Sequence, residues 1–183
     1  MSIPIFLSYP KPHMTGQQKF IEAVQEYLKE RGMEGRTLGQ NEYDMSAPLT
    51  AVRRMMLESN GALVVAFRRY WIEEGEENHK TDIKPTRKRR NVSGTWMTSE
   101  WCHMESAMAF QLALPLLVLR EEGVLANGVL QHGVTGTYMP EFNLKMPIKK
   151  YFASQEWKQL MAQWEGDVQG VRKSKGIPRL FGM

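Results

Sequence analysis

The sequence predicts an α/β fold, an open parallel sheet of about five strands with helices on both faces. Two observations carry this. The strand candidates are short solid apolar blocks without polar alternation, as in Ala62 to Phe67 and Pro115 to Leu119, and strands read this way when both faces are covered. Between the blocks lie segments whose apolar residues recur at helical spacing, and such alternation builds parallel sheets. A chain of 183 residues leaves room for one domain with a full core, taken here as residues 1–168 and followed by a basic tail over 169–183.

Ile3 to Leu7 reads as a buried strand, stopped by a loop with Pro10 and Pro12, which cannot continue a helix. Thr15 and Gln18 have capping-box spacing, and Phe20, Val24, Tyr27 and Leu28 follow at helical intervals until Gly32 offers a left-handed cap. Arg36 to Leu38 suggest a short strand, then a polar loop to Met45. Ser46 is placed to cap a helix with Leu49, Val52 and Met56 on its core face, ending near Ser59 to Gly61. Ala62 to Phe67 is the central strand. Residues 69–98 form an irregular charged insertion, with Glu73, Glu74, Glu76 and Glu77 followed by Lys80, Lys84 and Arg87 to Arg90. A stretch this long is either functional or disordered. A helix from Ser99 to Ala113 has Trp101, Met104, Met108 and Leu112 as its buried side, and Pro115 to Leu119 forms the next strand. A short strand is expected near Thr137 to Met139. Trp157, Leu160, Trp164 and Val168 mark a terminal amphipathic helix.

Composition narrows the function. The net charge of +4 is concentrated in two short segments rather than spread along one face, and the insertion's basic run is offset by neighbouring glutamates, so nucleic acid is not indicated. Cys102 is the sole cysteine, which excludes an intramolecular disulfide and a multi-thiolate zinc site and fits a reducing compartment. The four histidines have no metal spacing, and no metal is expected. No apolar stretch reaches the roughly 18 residues of a membrane span. Met1 to Leu7 lacks the basic start of a signal peptide, so the expected location is cytoplasmic, with no membrane contact.

In the expected sheet, ligands sit at the carboxyl ends of the strands. The informative stretch is Ser99 to Glu105. Glu105 stands four residues after Trp101 and three after Cys102, which places an acid on an apolar helix face. Burial would raise its pKa and the nearby helix amino terminus would lower it, so it can remain ionised in a semi-dry cleft and stabilise a cation. The plainer reading is a glutamate at the edge of the stripe that reaches water. Cys102 and His103 are adjacent on a helix and point about 100 degrees apart, so a thiol-imidazole pair is not expected.

The order of IFLSY (Ile5 to Tyr9), LTAVRRMMLESNGALVVAF (Leu49 to Phe67), SEWCHMESAMA (Ser99 to Ala109) and LPLLVL (Leu114 to Leu119) resembles the Toll/interleukin-1 receptor (TIR) domain family, across about residues 3 to 165. The most specific element is the S-x-W-C-x-x-E helix start. The resemblance implies a flavodoxin-like TIR fold and a catalytic glutamate, which falls on Glu105. It further implies that NAD is a substrate rather than a bound cofactor, and that its nicotinamide bond is cleaved. Ser8 and Tyr9 match the strand end that lines the family's pocket, or else they are ordinary strand-end residues. Where the family often has arginines after that strand, this chain has Pro10 and Lys11, leaving Lys11 as the cation for the diphosphate. Asp44 falls in the loop where active members place an acid near the ribose or at a subunit contact, and a solvated loop acid is the alternative. Trp101 either stacks on the nicotinamide or adenine ring or packs in the core. After the central strand, where the family commonly has a serine, stand Phe67, Arg68 and Arg69.

The chain further resembles stand-alone bacterial TIR proteins of Thoeris-type antiphage defence. This implies a linear, cyclic or conjugated ADP-ribose signal, a separate effector protein that responds to it, and self-association through TIR contacts. Two other functions fit the same residues. One is a non-catalytic TIR adaptor that binds other TIR domains. The other is an enzyme like the nucleoside deoxyribosyltransferases, with a glutamate set against a ribosyl cation.

Overall fold

The first apolar run becomes strand β1 (Ile3–Ser8), in a computed structural model that describes residues 2–83, 89–136 and 138–175. Helix α1 (Thr15–Glu30) follows and buries Phe20, Ile21, Val24 and Leu28. It ends where Gly32 takes a φ of 68°, a left-handed turn that costs glycine little. The expected capping box does not form. Met14 occupies the cap position, Thr15 is already helical, and the Gln18 amide donates to Glu22.

Strand β2 (Met33–Arg36) lies before the expected Arg36–Leu38, with Ile3 opposite Met33 and Ile5 opposite Gly35. Gly35 belongs in this strand because a Cβ there would stand 2.9 Å from the Leu7 side chain. Helix α2 (Pro48–Leu57) starts at Pro48 after Ala47, not at Ser46. Proline's fixed φ and missing N–H suit the first helical position. Ala51, Val52, Met55 and Met56 form its buried face, and Leu49 is 50% exposed, so the core face is rotated from the expected one. Strand β3 (Gly61–Ala66) is buried throughout.

The described parts of the segment expected to be irregular, residues 69–83 and 89–98, form a β-paired arm. Strands β4 (Tyr70–Ile72), β5 (Glu76–Glu77), β6 (Arg90–Asn91) and β7 (Thr95–Met97) nest as antiparallel pairs, β4 with β7 and, further out, β5 with β6. Trp71 and Trp96 pack with ring centroids 5.1 Å apart, and Glu77 pairs with Arg90 at 3.5 Å. Residues 84–88, including Lys84, Arg87 and Lys88 of the basic run, lie outside the described residues.

Helix α3 (Glu100–Gln111) leads to strand β8 (Leu116–Glu121), which extends past Leu119 to include the buried Arg120 and Glu121. The last strand, β9 (Glu141–Phe142), lies after the expected Thr137 to Met139, of which Thr137 is outside the described residues. A short helix α4 (Ile148–Phe152) precedes α5 (Gln155–Lys175), so residues 169–175 of the expected tail continue the terminal helix.

The sheet order is β2-β1-β3-β8-β9, and every pairing is parallel. This is the flavodoxin-like 2-1-3-4-5 order. Successive strand residues point to opposite faces. Ile5, Leu7, Leu63, Val65 and Leu119 meet α1 and the Trp157, Met161, Trp164 and Val168 face of α5. Phe6, Ala62, Val64, Ala66 and Val118 meet α2 and α3. The predicted open parallel sheet with helices on both faces is therefore the observed one. No described helix is long and apolar enough to cross a membrane.

Candidate active site

Connectivity fixes where a cleft can open. The chain leaves β1 toward α1 on one face of the sheet and leaves β3 toward α3 on the other. Loops that diverge from adjacent parallel strands leave a crevice at their carboxyl ends. A cleft of about 370 Å³ lies there, with Ser8, Tyr9, Lys11, Trp101 and Glu105 among the residues that line it.

Helix α3 presents Glu105 to the base of this cleft. Its first turn is held by Ser99, whose hydroxyl accepts from the Cys102 N–H at 3.4 Å. The residues facing inward are Cys102, Glu105, Ser106 and Ala109, while Trp101 is 41% exposed and Met104 is also on the surface. The most buried face is thus the small-residue face; of the expected stripe, Met108 and Leu112 pack partly buried against the core, while Trp101 and Met104 lie on the surface. Small side chains let the helix approach the sheet closely, and the Cys102 sulfur lies 3.9 Å from the Val65 carbonyl oxygen.

Glu105 sits on that inward face and is 9% exposed. The hydroxyl of Ser8, at the end of β1, donates to Glu105 Oε2. Loss of hydration pushes the Glu105 carboxyl up to about 7, with the Ser8 hydrogen bond opposing the shift. Of the opposing influences expected from sequence, desolvation wins. The result is a carboxyl group with both protonation states accessible near neutrality.

Around it, Tyr9 is partly buried and lines the cleft, its phenol pKa raised by burial against a lowering hydrogen bond with Thr37. Trp101 turns part of its indole to the same space, and Lys11 reaches it from the loop after β1. Asp44 is not among the lining residues. It accepts from Arg54 Nε at 2.9 Å and from the Ser46 N–H at 2.7 Å, which hold its carboxyl below the usual range. Five of the six expected site residues therefore converge, and Asp44 stands apart in this single chain.

Arg69, Tyr70 and Glu100 line the cleft without having been assigned to it from the sequence. With Arg69 there, Lys11 is not its sole cation. The signal that could have found Arg69 was present, since it follows the central strand of a parallel sheet. Behind it, Glu121 Oε2 accepts from the Arg68 N–H at 2.9 Å and from Gln17 Nε2 at 3.1 Å. Gln17 Nε2 also donates to the Arg68 carbonyl, at 3.1 Å. Gln17 and Glu121 are buried, so this network anchors the turn out of β3. Cys102, by contrast, is buried and its thiol is pushed up to about 11, which removes it as a nucleophile at neutral pH.

The fold and this cleft define a flavodoxin-like α/β protein with a buried carboxyl group, Glu105, in the cleft at the carboxyl rim of its sheet. No family model and no curated protein sequence matches the chain. Among solved structures it is similar to the TIR domains of the activated Roq1 resistosome that directly recognises the pathogen effector XopQ. Identity there is 14% over 94% of this chain and 84% of that one, with a TM-score of 0.43. It is also similar to the Clostridium botulinum CMP N-glycosidase BcmB, at 17% identity over 82% of this chain and 99% of that one, with a TM-score of 0.47. These are likenesses of overall architecture between distant chains.

Proposed function

We propose that this chain is a TIR-type enzyme that cleaves the nicotinamide–ribose bond of NAD, with Glu105 as its catalytic residue. The observation that carries the reading is the Glu105 carboxyl group, buried at the base of the cleft and hydrogen-bonded by Ser8. Nicotinamide in NAD is already a cationic leaving group. When the bond from C1′ to the pyridinium nitrogen breaks, the electron pair goes to nitrogen and neutral nicotinamide departs without a proton. Positive charge develops on the ribose as an oxocarbenium ion. A carboxylate held beneath that carbon, in a site that excludes water, supplies opposing charge where it forms.

Ser8 fixes one carboxylate oxygen, which leaves the other for the sugar. Tyr9 and Trp101 offer flat surfaces for the ring, and Lys11 offers positive charge for the diphosphate. Attack by water at C1′ gives ADP-ribose with release of one proton, whereas an internal hydroxyl or base nitrogen gives a cyclic isomer. The product serves as a signal to a separate effector protein in antiviral defence, and Asp44 acts at the contact when copies associate. The pairing of SEWCHME with IFLSY supports this assignment by resemblance to the family.

A second reading has its own observation. A carboxyl group titrating near 7 is half protonated at neutral pH and can donate to a neutral base as it leaves. That suits a deoxyribosyl transfer from a deoxynucleoside, in which the base leaves with the proton and the carboxylate so formed bonds to C1′ until an acceptor base displaces it. Purified protein incubated with NAD and, separately, with deoxycytidine, followed by chromatography and mass spectrometry, decides between them. Nicotinamide release from NAD that disappears in Glu105→Gln is the expected result. Cytosine release alone would favour the second reading. Activity that persists unchanged in Glu105→Gln would remove this residue from the mechanism, and no release from either compound would leave a non-catalytic adaptor.

A further inference from the structure

Arg68 and Arg69 are consecutive in sequence but differ in what holds them. Arg68 is tied down. Its Nε lies 3.5 Å from Glu121 Oε1 and donates to the Glu122 carbonyl at 2.7 Å, while its guanidinium stands over the Trp96 ring at 5.9 Å. Arg69 is anchored chiefly through its backbone, where its N–H donates to the Met97 carbonyl at 2.8 Å as the arm leaves the sheet. Its side chain is exposed and crosses the crevice, with Nη1 donating to the Lys11 carbonyl at 3.3 Å.

Neither Arg69 nor Lys11 forms an ion pair with a carboxylate among the described residues, whereas Arg31, Arg36, Arg54, Arg68, Arg90 and Arg120 all do. Two cations without a carboxylate partner among the described residues thus line the β1/β3 crevice, one from each diverging loop. Nearly all of the Arg69 fork is left free, because a single weak bond to a carbonyl engages one of its five donors. The buried Gln17–Glu121 network behind it keeps the turn in place, so little ordering of the backbone is needed to use that fork.

The cleft therefore carries positive charge at the two loops, from Arg69 and Lys11, with the Glu105 carboxyl at its base and the exposed Glu100 on its α3 wall. A nucleotide has matching polarity, with phosphate at one end of the ribose and the N-glycosidic carbon at the other. We infer that Arg69 and Lys11 form an anion clamp, in which Arg69 exchanges its bond to the Lys11 carbonyl for phosphate oxygens and so makes the site select nucleotides over nucleosides. For its reaction the inference rests on the function proposed above. For the anion it rests on the geometry alone. Arg69 acts here as a specificity residue and takes no part in bond cleavage.

The test compares NAD with nicotinamide riboside, which has the same scissile bond and no phosphate, in wild type, Arg69→Ala, Arg69→Lys and Lys29→Ala. Lys29 is an exposed lysine in the last turn of α1, away from the cleft, and serves as the charge control. Arg69→Ala is expected to raise KM for NAD about tenfold or more while kcat stays within about threefold, because a charge-assisted phosphate contact is lost. It should leave nicotinamide riboside unaffected. Arg69→Lys should fall between, since it keeps the charge and loses the fork. Independently, calorimetric titration with inorganic pyrophosphate should show binding to wild type that weakens at least about tenfold in Arg69→Ala and is unchanged in Lys29→Ala.

A KM change equal for both substrates, no change for either, or pyrophosphate affinity identical in Arg69→Ala and Lys29→Ala would each overturn the clamp. If wild type cleaves neither compound, the proposed reaction fails while the pyrophosphate titration still decides the clamp. Should Arg69→Ala fail to fold, Arg69→Lys and Lys11→Ala carry the same comparisons.

Discussion

The groove beside the amino end of β8 encloses about 720 Å³ between α3 and α5, while the cleft at the carboxyl rim encloses about 370 Å³. The groove is lined by Phe110, Leu114, Tyr138, Leu160 and Trp164, and the indole N–H of Trp164 is already satisfied by the Pro115 carbonyl at 3.0 Å. Its acid, Asp167, is on the surface. The cleft instead has a buried carboxyl group at its base and cations from both flanking loops. Volume is thus a poor guide to chemistry in this molecule. The location of the diverging loops is the better one, because connectivity places desolvated and charged groups together there.

This contrast is broken or sharpened most strongly at Glu105. Glu105→Gln should lower turnover of the N-glycosidic substrate about a thousandfold, the scale of losing a preorganised charge at a developing cation, as measured by nicotinamide release. The same substitution should stabilise the protein at alkaline pH. A carboxyl group raised to about 7 binds its proton more tightly in the folded state than in the unfolded state. That contribution is full below about 4.5 and is lost as pH rises to about 7. Wild type should therefore lose about 3 kcal/mol relative to Glu105→Gln across that window, read from denaturant melts at pH 4.5 and 8. A difference that shrinks toward high pH would contradict a desolvated carboxyl group.

Next in size is a change at the opposite end of the sheet. A Cβ on Gly61 would stand 2.6 Å from Val168 and 3.3 Å from Trp164. Gly61→Ala should cost about 2 kcal/mol of stability by overpacking, seen in thermal melts, while residual activity per folded molecule is retained. Smaller again is Ser8→Ala. Removing the hydrogen bond that opposes the raised pKa should move the acidic limb of the pH–rate profile upward by about half a unit to one unit, with roughly two- to fivefold lower turnover at pH 7. The smallest effect belongs to the groove. Phe110→Ser should change activity less than about twofold, since it removes an exposed ring far from the carboxyl rim.

The β1 and β3 cores and the order of the main sheet strands and covering helices were legible, because solid apolar runs such as ALVVAF leave few alternatives, whereas the paired strands of the arm were not. The ends of elements were less so. Ser46 looked like a cap, yet Pro48 sets the start of α2 through its own φ. The sequence reading stopped β8 at Leu119, yet Arg120 and Glu121 continue it and are buried, with Glu141 pairing the first and Gln17 the second, partners 21 and 104 residues away in sequence. The stripe on α3 misled because apolar residues lie all round the helix, and what chooses the inner face is size, with Cys102, Ser106 and Ala109 admitting the sheet. Of the site, Glu105 was legible through its motif and Ser8 through its place at the strand end. Arg69 was legible only as one of two arginines after the central strand, since nothing local distinguishes it from the tethered Arg68. Only the fold separates them.

The burial of Cys102 has a practical consequence. With its thiol pushed up to about 11, the native chain is nearly silent toward maleimides at neutral pH. A cysteine introduced at the exposed Ile83 would be the sole labelling position, so a fluorophore could report movement of the arm with no need to remove the native residue first.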